Sequence, residues 1–119
     1  MKDAPPEDDP DALAATLADL LDDLAGEFDD IERRETPSGA DYLVRTRAFT
    51  HLNGDAASFR LRPEIVVAAA RTPSATASPL GAEWVAFRPT TLDQYSRDRL
   101  QSWFELAHRL VAEDGARTH

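Results

Sequence analysis
The chain has no cysteine, which excludes disulfides, thiolate-held zinc and cysteine nucleophiles. No stretch approaches the ~20 apolar residues that a membrane-spanning helix needs. The opening run Met1-Lys2-Asp3-Ala4-Pro5-Pro6-Glu7-Asp8-Asp9 lacks the basic flank and apolar stretch of a signal peptide. Both absences argue for cytoplasmic residence with no membrane partner. Lysine is almost missing as well, since Lys2 stands beside twelve arginines. Together with the abundant alanine and aspartate, that bias fits a GC-rich bacterial or archaeal genome. There are three histidines, His51, His108 and His119, and no two have the four-residue spacing of a helical metal pair. A phosphate loop, a dinucleotide fingerprint and a nucleophile-elbow glycine pattern are all missing. The expectation is a protein without metal, cofactor or assigned catalytic residue.

What is present is an uneven charge. The formal net charge is −9 over 119 residues. Residues 1–36 hold thirteen Asp or Glu against Lys2, Arg33 and Arg34, whereas residues 37–119 hold nine acids against ten arginines. An acidic block therefore precedes a nearly neutral body. A length of 119 residues fits a single domain, and an apolar fraction of 42% is ordinary for a globular chain. Residues 1–8, with Pro5-Pro6, are read as a mobile acidic tail, and residues 9–115 as one domain.

Asp9 as N-cap and Pro10 at the first helical position begin a helix whose Leu13, Leu17, Leu20, Leu21, Leu24 and Phe28 repeat at helical spacing. Asp19, Asp22 and Asp23 take its wet side, and Gly26 ends it. Residues 28–35 read as a first strand, closed by the turn cluster Thr36-Pro37-Ser38-Gly39. Residues 42–52 read as a second strand, Asn53-Gly54-Asp55 as a turn, and residues 58–62 as a third strand. Pro63 opens a short helix over residues 64–71. Residues 74–79 read as a weak strand and residues 83–88 as a clearer one. Thr91 with Gln94 reads as a capping box for a last helix with Leu92, Tyr95, Leu100, Trp103, Ala107, Leu110 and Val111 on its buried stripe, closed at Gly115. The order α-β-β-β-α-β(-β)-α predicts an α+β domain, an antiparallel sheet covered by helices.

Three segments carry a resemblance: Leu43-Val44-Arg45-Thr46-Arg47-Ala48-Phe49-Thr50-His51-Leu52, Phe59-Arg60-Leu61-Arg62-Pro63-Glu64 and Gly81-Ala82-Glu83-Trp84-Val85-Ala86-Phe87. Over roughly residues 41–111 the chain resembles the MmcQ/YjbR-like family. The resemblance implies that family's element order, shared with type III secretion chaperones. It transfers no catalytic or binding residue.

The candidate site is arginine-rich. Arg45 and Arg47 lie two apart on one predicted strand and Arg60 and Arg62 on the next, so each pair would share a face. With Arg88 they could present guanidinium groups to phosphate, nucleic acid or an acidic peptide; the bland alternative is a solvated sheet face. A charge of −9 opposes nucleic acid binding. The acidic clusters around Asp22-Asp23 and Glu27 to Glu32 lack calcium-loop spacing and read as solvated. Trp84, Tyr95, Trp103 and Phe104 read as core, or as the lining of a pocket between the last strand and last helix. Trp103 and Phe104 are adjacent and cannot face one way on a helix, so one is expected at the surface as a dimer interface. The favoured reading is a protein-protein interaction module acting as a homodimer. The alternatives are an anion or nucleic-acid binder through the arginine face, and a small-molecule enzyme built around His51.

Overall fold
A computed structural model describes the backbone of residues 10–117 and the side chains of residues 13–113. The tail assigned to residues 1–8, the cap at Asp9, and His119 lie outside the described residues. The element order is α1 (Pro10–Ala25), β1 (Glu32–Thr36), β2 (Gly39–Val44), β3 (Arg47–Asn53), β4 (Ala56–Arg60), α2 (Pro63–Ala69), β5 (Ala75–Ala77), β6 (Trp84–Phe87) and α3 (Gln94–Arg117). All strand pairings are antiparallel, in the order β1-β2-β3-β4-β6-β5. This is the α+β class expected, with a fourth strand before α2. No described helix is long and apolar enough to cross a membrane.

The additional strand comes from a turn inside the segment read as one strand. Arg45 and Thr46 take φ values of 53° and 71°, the left-handed pair of a two-residue type I′ hairpin. The chain reverses there, separating β2 from β3. The other hairpins follow their turn residues. Thr36 pairs with Gly39 around Pro37-Ser38, and Asn53 pairs with Ala56 around Gly54-Asp55, where Gly54 has a φ of 60°. Gly39 is required by close approach, because a Cβ there would lie 2.1 Å from the Leu52 carbonyl oxygen. The first strand starts at Glu32 and not at Phe28, because the Phe28 ring stacks 4.2 Å from His108 on α3.

Directly paired residues share a face of a sheet. Ala40, Leu52, Ala57, Phe87 and Ala75 form one such row, and Tyr42, Thr50, Phe59 and Val85 the next. These residues are buried. All but Thr50 belong to one apolar cluster with Leu13, Leu17, Leu21 and Leu24 of α1, Val66 and Ala69 of α2, and Leu100, Trp103, Phe104, Ala107 and Val111 of α3. All three helices thus cover the same side. A bulge at Tyr42/Leu43 leaves Phe49 unpaired with β2 and turns its ring toward Phe104, 5.2 Å away. The α3 N-terminus is capped by Asp93, whose Oδ1 accepts the Ser96 N–H at 2.9 Å. Asp93 thus replaces the capping box expected at Thr91, and that hydrogen bond lowers its carboxyl pKa. The helix also runs through Gly115 to Arg117 instead of closing there.

Candidate functional site
The five arginines do not form a face. Arg45 sits in the β2–β3 turn, so it does not share a strand with Arg47, and Arg47 stands opposite Val44, whose side chain is in the core cluster. Arg60 closes β4 on the side away from the helices, and Arg62 precedes α2. What the hairpins do gather is one end of the sheet. The β2–β3 turn, the last residue of β4 and the first residue of β6 are brought together there by the register, carrying Arg45, Arg47, Arg60 and Arg62. Arg88 stands at the opposite end, paired with Asp55 of the β3–β4 turn.

Two of the five are neutralised. Arg60 donates from Nε and an Nη to the same Glu83 oxygen, at 3.1 and 3.0 Å, and Arg88 is held by Asp55. Among the described residues Arg45, Arg47 and Arg62 form no ion pair. Beside Arg62 a cleft of about 240 Å³ opens between the β4–α2 junction and the C-terminal half of α3. The charged residues Arg60, Arg62, Glu64 and Glu83 line it with the apolar Leu61, Pro63, Leu110 and Val111.

The acidic block does not cover this end. Asp22 of α1 accepts the Tyr42 hydroxyl at 2.7 Å and pairs with Arg33 at 3.0 Å, and Asp30 meets His108 Nε2 at 2.8 Å. These carboxylates, read from sequence as solvated, tie α1 and its exit loop to the sheet and to α3.

The side of the sheet away from the helices carries a second constellation. Arg34, Asp41, His51 and Ser58 stand directly opposite one another across β1, β2, β3 and β4. An Arg34 Nη lies 3.3 Å from Asp41 Oδ2, and His51 Nδ1 lies 2.5 Å from Asp41 Oδ1. An ionised carboxylate only accepts, so Nδ1 carries the proton and Nε2 presents its lone pair. Ser58 Oγ bonds to Ser78 Oγ at 3.3 Å. Around this row lie Leu43, Ala48, Ala56, Ala86 and a half-buried Trp84. Leu43 is only 2% exposed although it lies outside the main core cluster.

His51 therefore has a carboxylate in reach, but the cleft beside Arg62 is not lined by it. Asp41, Arg34 and Ser58 were invisible as its companions, because residues 41 and 51 become partners only once the chain reverses at Arg45-Thr46. Trp84, expected in the core, faces the open side, since its neighbours Val85 and Phe87 face the helices. Tyr95, expected on the buried stripe of α3, is 37% exposed. The expectation that Trp103 or Phe104 would be exposed fails. Trp103, 6% exposed, packs on Phe59 and Phe87, and Phe104, fully buried, packs on Tyr42 and Phe49. A helix lying across a wide sheet can bury adjacent residues in two neighbouring pockets, so α3 leaves no aromatic pair for a dimer. Set against protein-family models, curated proteins and solved structures, the chain finds no match.

Proposed function
We propose that this chain is a small non-enzymatic protein-binding module that associates with a second copy of itself through the side of the sheet away from its helices. The observation that carries the reading is the row Arg34–Asp41–His51. Its polar groups are bonded to one another, so covering them by another protein strands few unpaired donors or acceptors. Small and apolar side chains at Ala48, Ala56, Ala86 and Trp84 make the surrounding surface suited to close approach. Charges there also cancel in pairs, Arg34 with Asp41 and Arg60 with Glu83, which lets two acidic molecules stack without direct repulsion.

The sheet edges favour a face over an edge. β1 reads Glu-Arg-Arg-Glu-Thr, and β5 is three residues long between Pro73 and Pro79. Charged, short and proline-flanked edges resist added strands. Mass measurement of the full chain by light scattering after size exclusion tests the reading. A dimer is expected for the natural sequence, and a folded monomer for Ala86→Arg, which places a long cation in the centre of the contact. A monomer at every concentration, or a dimer indifferent to Ala86→Arg, overturns it.

A further inference from the structure
The arginine end of the sheet has a different chemistry, and it does not depend on the face reading. Arg60 is already occupied by Glu83 through two hydrogen bonds. Arg62 borders the same cleft and has no ion-pair partner among the described residues. Glu64 and Glu83 in the lining oppose a second negative charge, so the unspent attraction amounts to one cation. At about 240 Å³ the cleft falls below the roughly 300–1,000 Å³ of drug-sized sites. It has room for one side-chain-sized group and not for a nucleotide. Leu61, Pro63, Leu110 and Val111 supply apolar wall.

We infer that this cleft binds a single carboxylate carried on a short apolar group, with Arg62 as its counter-ion and Pro63 and Leu110 against the apolar part. Two sources offer that chemistry, a free small carboxylic acid and the C-terminal residue of a polypeptide. Arg62 is exposed, so the contact is screened by salt and exchanges fast.

The test is a titration of the full-length, ¹⁵N-labelled chain followed by amide shifts. N-acetyl-leucine is expected to move the amides of Leu61, Arg62, Glu64, Leu110 and Val111 saturably. N-acetyl-leucinamide, which lacks the charge, and the Arg62→Ala variant should each bind at least about tenfold more weakly, a loss of one ionic contact. Methyl phosphate should bind more weakly than N-acetyl-leucine. Glu64→Gln should tighten binding by removing the opposing carboxylate. A peptide ending in leucine with a free carboxylate separates the sources, since tighter binding than N-acetyl-leucine marks a chain terminus and equal binding marks a free acid. Shifts scattered over the surface, an equal response to the amide, or unchanged affinity in Arg62→Ala overturn the proposal. Arg62→Ala should leave the dimer intact, so the two readings fail separately.

Discussion
Thr50 Oγ1 is buried without a hydrogen-bond partner among the described residues. The residue pairs with both Tyr42 and Phe59 and so points into the core. A buried hydroxyl left unpaired costs about 1–3 kcal/mol, whereas valine keeps the β-branched shape without the polar atom. Thr50→Val is therefore expected to raise stability by about 1 kcal/mol, read as a higher urea midpoint at unchanged m-value; a lower midpoint would refute the argument. Tyr42 is the opposite case, a buried hydroxyl with a partner. Burial first, and then its hydrogen bond to Asp22, raises its pKa well above that of an ordinary phenol. A raised folded-state pKa means that the native chain keeps a proton which the unfolded chain releases. Its stabilising effect is complete below the unfolded pKa of about 10 and declines as pH climbs toward the folded value. Tyr42→Phe should cost about 1 kcal/mol at neutral pH through the lost hydrogen bond. The gap between variant and natural protein should then shrink in denaturant melts above about pH 10, and a gap constant with pH would contradict the linkage.

At the scale of elements, the β2–β3 turn is the weakest local choice in the chain. Type I′ hairpins favour Asn-Gly, and a left-handed conformation costs an ordinary residue roughly 1–2 kcal/mol. Here the positions are held by Arg45 and the β-branched Thr46. Replacing Arg45 by Asn together with Thr46→Gly should stabilise the fold by about 1–2 kcal/mol. A thermal melt checks this, and a fall in Tm would mean that the register does not depend on this turn as described. The same pair explains why the sheet was only partly legible. Val44-Arg45-Thr46-Arg47 reads as continuous strand because it lacks turn residues, while Asn53-Gly54-Asp55 announces its turn openly. α1 was legible from its leucine spacing and α2 from Pro63, because burial of one stripe and a fixed proline φ are local causes. Even the weak strand within residues 74–79 appears, as β5. The start of β1 was not legible, since the position of Phe28 is decided by a ring stack with His108, 80 residues further along the chain.

On the scale of the whole molecule, one sheet side carries all the helices and the other carries a bonded polar row with small apolar neighbours. The arginine residues were identifiable in sequence, but their arrangement was not. A reversal at Arg45-Thr46 removes the shared strand of Arg45 and Arg47, and antiparallel register then collects four arginines at an end of the sheet. His51 was visible as a strand residue, whereas its link to Asp41 and Arg34 required the pairing of three strands. If the open side is closed by a second copy, association and folding are linked, because a partner that binds only the folded chain adds to its stability by mass action. The natural protein should then melt at a temperature that rises by a few degrees for each tenfold increase in protein concentration. Ala86→Arg should melt at one temperature whatever the concentration, as a monomeric two-state domain does. Calorimetry at several concentrations makes the comparison, and a natural protein whose Tm stays fixed over that range would leave the sheet face without a second copy.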